Sequence, residues 1–464
     1  MNPQNPHPDP PDNAPDATAD RATAMPETAQ PGPALIDRIR RLACEHDWPW
    51  RQGRSFGLVY DLDDDHTQLL NRAYQTLCSA NAVSPTAFPS AAALEREVLA
   101  MVADLLHAPP TSTRGDDGAD PARDDSIPGA MTSGGSESTL LALKAYRDHA
   151  RASSPGTTEP TIVLPNTAHA AFLKAAHYLD LTPIVIEPDA SGRAAADAYA
   201  EAMDERTILL IASAPCLPYG TVDAIESIGA LARDRGVGLH VDACLGGFVL
   251  PFLEELGEAV PPFDFRVDGV GSITVDLHKY AFAAKGASVT VYRDRSVYER
   301  QWFATDAWCS GPFASEHVTG TRPGGTVAAA WVALRALGRA GYRAIASTVM
   351  RTTARLRRGI EGIEGLRIVG EPAMSVFAFT SETARIASVV ERMSERGWRL
   401  NRQANPEAIH MIVTPRHEPV VDEFLADLGE AVAEAERIAD NGQPAPPAAV
   451  YGLAVGGGST ARAG

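Results

Sequence analysis

The sequence has no apolar run approaching the roughly 20 residues needed to cross a bilayer, although 45% of its 464 residues are hydrophobic. Its first 33 residues also lack the basic start and apolar core of a secretory signal peptide, and are rich in Pro, Ala and Asp instead. We therefore predict a soluble protein with a cytoplasmic location and no membrane span.

The chain is also poor in cysteine patterns and in positive charge. Its five cysteines show neither CxxC nor Cys/His spacing, so we predict reduced thiols and no metal site. A formal net charge of -18 leaves no basic stripe for a nucleic-acid polyanion, so nucleic acid is excluded as a partner. A small-molecule substrate fits this composition better.

Length and periodicity predict one large domain and a smaller one. Between Gly129 and Arg293, short β-branched runs such as TIVLP and GLHVDA alternate with helical segments, which is typical of an α/β domain with a mostly parallel sheet. The predicted units are a disordered acidic tail (1–33), an N-terminal helical segment (34–80), a large domain (81–335), a small α+β domain (336–440) and a C-terminal tail (441–464).

One lysine stands where chemistry is expected. The segment SITVDLHKY places Lys279 just after an apolar strand, where we expect burial to lower the pKa of the amine enough for it to form a Schiff base. A single lysine in this position is more often an ordinary solvated loop residue. The functional interpretation therefore depends on the motifs that precede it.

Three such motifs occur, each at the end of a predicted strand. TSGGSES opens a helix with Gly134, Gly135 and Ser136, whose backbone N–H groups suit a phosphate. His169 begins a helix at a place where its ring could stack on a flat heteroaromatic ring. Asp242 could hold a pyridinium nitrogen protonated. Each alone is explained equally well or better as a helix cap, a turn or a surface residue. Together with Lys279 they predict a pyridoxal 5'-phosphate (PLP) site.

The motifs AHAAFLKAAHY, HVDACLGGFVLPF, FDFRVDGVGSITVDLHKYAFAAKGASVTVYRD and TGTRPGG extend the likeness. From about Ser55 to Ala454 the chain resembles the sphingosine-1-phosphate lyases, which are fold type I PLP enzymes close to the group II amino-acid decarboxylases. The resemblance implies a fold type I, PLP-dependent transferase-like α/β architecture. Its large domain would hold a mostly parallel sheet of the seven-stranded type, followed by a smaller C-terminal α+β domain.

The resemblance also implies a role for each matching residue. Lys279 would carry the Schiff base, Asp242 would pair with the pyridinium and His169 would stack on the ring. His278 would join the phosphate site, and Gly324 and Gly325 of RPGG would reach the phosphate of the neighbouring subunit, which predicts a homodimer with a shared active site. The predicted substrate-side residues, with Tyr60 also a candidate for proton transfer, are Tyr60, Asn81 and Lys285.

The substrate side departs from the family pattern. Ser84 stands where the lyases usually have a histidine, and Phe313 where they have a tyrosine. Ala281 and Phe282 replace the first glycine and the second tyrosine of an HKYGYAPKG pattern. Because lost hydrogen-bonding groups change which substrates a pocket rejects, we expect the changes at Ser84, Ala281 and Phe313 to alter specificity more than cofactor chemistry.

The predicted function is a PLP-dependent carbon-carbon lyase that cleaves the Cα–Cβ bond of a β-hydroxy amine, phosphorylated or not, to an aldehyde and an amine. Two alternatives remain open. A PLP-dependent amino-acid decarboxylase would need the same cofactor site. An inactive PLP-fold interaction subunit would need none of its chemistry, and the presence of Lys279, Asp242 and His169 argues against it.

Overall fold

The structure is a computed structural model, and it describes residues 25–48, 50–109, 127–154, 156 and 158–439. Most of the predicted N-terminal tail, and all of the predicted C-terminal tail, lie outside these residues. Within the described ranges, no helix combines the length and the apolar character that spanning a membrane requires.

Three helices precede the first strand, as the amphipathic patterns of the sequence predict. Asp63 caps the second of them, because its side chain accepts the N–H of His66 at 2.7 Å. No residue of the first helix is buried. The three helices are α1 (Gly32–His46), α2 (Asp64–Leu77) and α3 (Pro89–Leu105).

The large domain is built on a seven-stranded sheet with the order β1-β7-β6-β5-β4-β2-β3. Only β7 runs against its neighbours; the others share one direction. Most strands are short apolar runs buried on both faces, as expected where helices cover a sheet. The strands are β1 (Gly129–Thr132), β2 (Thr161–Pro165), β3 (Thr182–Ile186), β4 (Thr207–Ser213), β5 (Gly238–Asp242), β6 (Ser272–Val275) and β7 (Ser288–Tyr292).

Helices connect these strands and place the carboxyl ends of β1, β2, β5 and β6 at one edge of the sheet. Ligands of open α/β sheets bind at this edge. The predicted phosphate turn, His169, Asp242 and Lys279 each follow one of these four strands. The connecting helices are α4 (Gly135–Ser153), α5 (Ala171–Tyr178), α6 (Ala196–Ala202), α7 (Ile225–Arg235), α8 (Leu250–Glu255) and α9 (Arg295–Tyr298).

A short hairpin and a long helix lead out of the large domain. The hairpin pairs β8 (Phe303–Thr305) with β9 (Phe313–Ser315). Helix α10 (Gly324–Glu361) then crosses the predicted domain boundary at 335 and lies against α2 and α3. Its backbone is kinked at Gly338, where φ is 56° and ψ is 178°.

The small C-terminal domain is an antiparallel sheet of order β10-β11-β13-β12 with two helices. Three of its strands follow from apolar runs, whereas β12 has the polar sequence NRQA and was not predicted. The predicted α/β fold, with its mostly parallel sheet and smaller C-terminal α+β domain, is confirmed. The elements are β10 (Leu366–Val369), β11 (Val376–Ser381), α11 (Ile386–Glu395), β12 (Asn401–Ala404), β13 (Glu407–Ile412) and α12 (Val421–Ala439).

Candidate active site

Lys279 is the centre of a buried group of charges at the carboxyl edge of the sheet. Its Nζ lies 2.9 Å from Oδ2 of Asp276, and the lysine side chain is 16% exposed. Burial acts to lower the pKa of Lys279, but Asp276 first, then Cys244, Tyr60 and Asp242, outweigh it and raise that pKa well above its usual value. Our expectation that the pKa of Lys279 is lowered is therefore wrong for this arrangement.

Asp276 is the residue that sequence reasoning missed. It directly follows β6, and its side chain is 3% exposed. Burial would raise its pKa, but Lys279, then His278, lower it below the ordinary value. Among the described residues, its Oδ1 has no hydrogen-bond partner. The signal was present in the sequence, because Asp276 occupies the same place after β6 that Asp242 occupies at the end of β5.

The glycine turn before α4 lies directly over this carboxylate. A Cβ built on Gly135 would be 3.0 Å from both Asp276 oxygens and 3.2 Å from Sγ of Cys244. Gly134 has a φ of 147°, and a Cβ there would lie 3.4 Å from Cε1 of His278. Only glycines leave this space open, and the first N–H groups of α4 lack intrahelical partners. The turn can therefore take a phosphate close to the backbone.

Glu137 fixes the glycine turn to the chain that follows the β8–β9 hairpin. One carboxylate oxygen accepts the N–H of Ser133 at 2.8 Å, and the other accepts the N–H of Val318 at 3.0 Å. Burial acts to raise the pKa of Glu137, but hydrogen bonds from Ser133, Val318 and Thr319 lower it. Glu137 was not predicted, and it explains why the turn has a fixed shape.

His278 borders the same space. Its Nδ1 accepts the N–H of Ala287 at 3.3 Å, so the ring proton of the neutral form is on Nε2, which lies 3.8 Å from Oδ2 of Asp276. Burial is the main cause that lowers the pKa of His278. His278 thus offers a neutral N–H donor next to Gly134, as a phosphate site requires.

His169 and Asp242 occupy neighbouring strand ends. Nδ1 of His169 accepts the N–H of Ala171 at 3.1 Å, and Oδ1 of Asp242 accepts the N–H of Cys244 at 3.0 Å. Burial lowers the pKa of His169, while Asp242 acts to raise it and Lys279 to lower it. The two side chains therefore share one electrostatic environment with Lys279.

Lys285 and Tyr60 stand together on the substrate side. Nζ of Lys285 donates to the carbonyl of Leu58 at 3.2 Å and lies 5.2 Å from the centre of the Tyr60 ring. The Tyr60 ring is 5.1 Å from that of Tyr280. Burial, and then the neighbouring Lys279, lower the pKa of Lys285. Among the described residues, no carboxylate lies within ion-pair distance of the Lys285 ammonium, and such a free charge suits an anionic substrate group.

Asn81 and the RPGG turn form a second cluster at the start of α10. Oδ1 of Asn81 accepts the N–H groups of Val83 and Arg322, both at 3.2 Å. The N–H of Gly324 donates to the carbonyl of Ala80 at 2.8 Å, and a Cβ on Gly325 would lie 2.7 Å from a carbonyl of α2. Both glycines are packed tightly within their own chain.

Ser84 and Phe313 are not brought to Lys279 within one chain. The hydroxyl of Ser84 lies 3.4 Å from that of Thr86, and Phe313 is 41% exposed on β9, with its ring 6.0 Å from that of Trp308. In the part of the chain that the structure describes, no hydrogen bond, ion pair or ring contact joins either residue to Lys279. Their predicted substrate-side roles stay predictions.

These residues fit PLP. The glycine turn leaves room where a Cβ would intrude, and Nε2 of His278 offers a proton to an oxygen there. Lys279 is an amine on a strand-end turn, and Asp242 is a carboxylate on the adjacent strand. The site thus offers N–H groups for an anion, a carboxylate for a ring nitrogen and an amine for a carbonyl carbon.

Known proteins match the same stretch of sequence. Residues 19–382 match the family described as the pyridoxal-dependent decarboxylase conserved domain. The chain belongs to the pyridoxal-dependent decarboxylase family. It is 40% identical over 384 residues to a sphingosine-1-phosphate lyase of Arabidopsis thaliana, with 82% of this chain and 69% of that protein covered. The enzyme of the same name from Oryza sativa subsp. japonica is 38% identical over 413 residues, covering 88% of this chain and 74% of that one.

A solved structure lies in the same branch of the pyridoxal-dependent decarboxylase family. The sphingosine-1-phosphate lyase of Burkholderia pseudomallei K96243 superimposes with a TM-score of 0.85 and 38% identity, covering 92% of this chain and 96% of that one. The predicted resemblance, the PLP cofactor and the assignment to PLP-dependent lyases are therefore confirmed.

Proposed function

We propose that this PLP-dependent lyase cleaves the Cα–Cβ bond of a β-hydroxy amine, releasing an aldehyde and a smaller amine. The observation that supports it best is the presence, six residues apart, of two lysines with different surroundings. Lys279 is held by Asp276, whereas Lys285 faces Tyr60 and a backbone carbonyl. The first suits the cofactor and the second suits an anionic group of the substrate.

Each residue of the cofactor half has a distinct task. PLP supplies an electron-poor ring that accepts the electron pair released when a bond to the substrate's Cα breaks. Asp242 would keep the ring nitrogen protonated, and His169 would lie against the ring. Lys279 would hold the cofactor covalently. The residues that would hold the phosphate are Gly134, Gly135, Ser136 and His278.

Tyr60 is our candidate for moving a proton at the substrate. It is 8% exposed, and its ring contacts both the ring of Tyr280 and the ammonium group of Lys285. A phenol hydroxyl can both accept and donate a proton.

Two of the departures from the family pattern lie below the pocket surface. Ala281 and Phe282 are 0% and 2% exposed, and the carbonyl of Ala281 accepts the hydroxyl of Tyr342 at 2.9 Å. The carbonyl of Phe282 lies 2.9 Å from Nε2 of His66. These two replacements thus belong to the packing under the Lys279 turn. The altered specificity that we propose rests on Ser84 and Phe313.

Product analysis separates the proposed lyase from a decarboxylase of the same family. The PLP-loaded protein would be given β-hydroxy amines with and without a phosphate, and α-amino acids. We expect an aldehyde from a β-hydroxy amine. Carbon dioxide from an amino acid, with no aldehyde from any β-hydroxy amine, would replace the lyase proposal by the decarboxylase one.

The same substrates test the role of Lys285. Lys285→Gln should raise KM for a phosphorylated amine by about tenfold or more, because a charge-assisted hydrogen bond contributes about 1.5–3 kcal/mol. KM for the unphosphorylated amine should change little. Lys174→Gln, on the exposed face of α5, is the matched control. Equal changes for both substrates would remove Lys285 from phosphate recognition.

We also propose that the active unit is a homodimer that shares its active sites. The support for this proposal is an apolar surface that is exposed to solvent in a single chain. On the β8–β9 hairpin, Phe303, Trp308 and Phe313 are 55%, 54% and 41% exposed. Surfaces of this kind mark association sites. Sedimentation of the purified protein at several concentrations tests this proposal, and a monomer at all of them would contradict it.

The cytoplasmic location is likewise a proposal. All five cysteines have free thiols in the structure, and three of them are exposed, as is common in a reducing compartment. Fractionation of cells that produce the protein, followed by detection in the soluble and membrane fractions, tests it.

A further inference from the structure

Asp276 is a buried charge to which neither the cofactor roles nor the substrate roles assign a task. It is on the same turn as Lys279, three residues earlier, and the backbone N–H of Lys279 donates to its carbonyl at 3.3 Å. Oδ2 receives the Nζ of Lys279 at 2.9 Å. The side chain has almost no contact with solvent, so water screens this ion pair little.

The charged groups around Lys279 come from several strand ends, and they lie at different distances from its Nζ. Asp276 is the one carboxylate within ion-pair distance of Nζ in the described ranges. Three basic residues also act on the charge at Nζ: His278 and Lys285 on the same connection, and His169 after β2. A histidine opposes a positive charge there only when it is itself protonated. The groups that act on the charge of Lys279 are Asp276, Cys244, Tyr60, Asp242, Tyr280, Lys285, His169 and His278.

The turn that carries both residues is held rigidly. The hydroxyl of Tyr280 donates to the carbonyl of Val413 at 2.8 Å, and that of Tyr342 donates to the carbonyl of Ala281 at 2.9 Å. The backbone that carries Asp276 and Lys279 is therefore anchored to the small domain and to α10. Gly135 lies on the other side of the carboxylate, where an added Cβ would be 3.0 Å from both of its oxygens.

We propose that Asp276 is the positioning residue of this site: it holds the Lys279 side chain charged and aimed between the glycine turn and Asp242, and so sets the pH at which Lys279 becomes a nucleophile. The inference rests on the cofactor role of Lys279 but is independent of which bond of the substrate breaks. Asp276 acts through Lys279, and we assign it no contact with the substrate.

The test measures the reactivity of Lys279 without substrate or turnover. The full chain, freed of PLP, would be labelled briefly with acetic anhydride across a pH range, and each lysine quantified by mass spectrometry. The chain contains four lysines, which makes the digest simple to read: Lys144, Lys174, Lys279 and Lys285. The exposed Lys174 serves as the internal reference.

Removing the carboxylate charge should free the amine. In Asp276→Asn, we expect the labelling midpoint of Lys279 to fall by about one pH unit or more, so that labelling near pH 8 rises about tenfold. Asp276→Glu keeps the charge and should restore a profile close to that of the native chain. Asp264→Asn removes another buried aspartate, one paired with Arg266 away from the site, and should leave the profile unchanged.

Three results would overturn the proposal. They are an unchanged or raised midpoint in Asp276→Asn, an equal shift in Asp264→Asn, or a loss of the native profile in Asp276→Glu as large as in Asp276→Asn. If Asp276→Asn does not fold, the labelling profile of the native chain still tests the proposal. Lys279 must then become reactive only above the pH at which Lys174 does, and a midpoint at or below that of Lys174 contradicts the role of Asp276.

Discussion

At the scale of single residues, the site separates into a half that holds the cofactor and a half that selects the substrate. The cofactor half uses side chains fixed by hydrogen bonds to backbone, such as His278 to Ala287 and His169 to Ala171. Fixed side chains pay little conformational entropy when a ligand binds. The substrate half instead contains Ser84, which is partly exposed, and Phe313, which is 41% exposed in one chain.

Lys279→Ala should abolish covalent retention of PLP and reduce turnover to background, because no other lysine is paired in the same way within this turn. Borohydride treatment of the loaded protein followed by peptide mapping measures the covalent bond. Lys174→Ala, in which an exposed lysine is removed, should keep a reduced cofactor adduct on Lys279. An adduct that persists in Lys279→Ala at a neighbouring residue would refute the assignment.

Much of this half-site follows from local sequence patterns. Gly134, His169, Asp242 and Lys279 each come directly after a short apolar run, and parallel strands place such positions at one edge of the sheet. The charge state of Lys279 did not follow, because it depends on a distance of 2.9 Å to Asp276 and on burial by other elements. Expecting burial alone to dominate led to the wrong direction for the pKa of Lys279.

At the scale of elements, the long helix α10 joins the two domains, and its shape depends on one glycine. The domain-joining helix α10 bends at Gly338, whose φ of 56° is unfavourable for any residue with a side chain. Neither the bend nor the polar strand β12 follows from apolar periodicity. Strand β12 instead depends on its pairing with β13 inside the small domain.

Gly338→Ala should lower the free energy of unfolding by about 1–2 kcal/mol. A Cβ at Gly338 would meet no atom within 4 Å, so the cost comes from the backbone alone. Gly429→Ala is the matched control, since it also has open space for a Cβ but lies within α12 without a positive φ. It should stabilise by about 0.5–1 kcal/mol. Denaturant unfolding of both variants measures the two changes, and changes of the same sign would contradict this explanation.

A buried histidine ties the start of the chain to the small domain. The His417 ring stacks on Phe56 with centres 4.2 Å apart, and its Nε2 donates to the carbonyl of Ser55 at 2.9 Å. Burial lowers the pKa of His417 to about 4 from an ordinary 6.5. Below pH 6.5 the unfolded chain therefore binds a proton that the folded chain does not.

Acid should consequently weaken the fold through His417. As the pH falls from about 6.5 to about 4, this residue alone should lower the free energy of unfolding by about 3 kcal/mol, with little further loss below that range. His417→Gln removes the titration, so its melting temperature should depend less steeply on pH, even though the lost stacking lowers it at neutral pH. His46→Gln, in the exposed part of α1, is the control. Equal slopes for all three proteins would exclude this role.

At the scale of the whole molecule, two apolar surfaces have no cover among the residues of one chain that the structure describes. Helix α1 has no buried residue, and Leu35, Ile36, Ile39 and Leu42 are between 41% and 62% exposed. A helix of 15 residues is marginal by itself in water, so a partner surface would stabilise α1. The β8–β9 hairpin has the same property at another place in the fold.

Trp308→Ser should weaken the proposed homodimer by about tenfold or more, because removing one large aromatic from the centre of an interface commonly costs about 2 kcal/mol or more. Trp308 is 54% exposed in one chain, so the substitution should leave the free energy of unfolding of the monomer nearly unchanged. Leu173→Ser, at a 44% exposed leucine on α5, is the control. Sedimentation velocity over a dilution series measures the dissociation constants. A dimer that tolerates Trp308→Ser and is disrupted by Leu173→Ser would place the interface at α5 and contradict an interface at the hairpin.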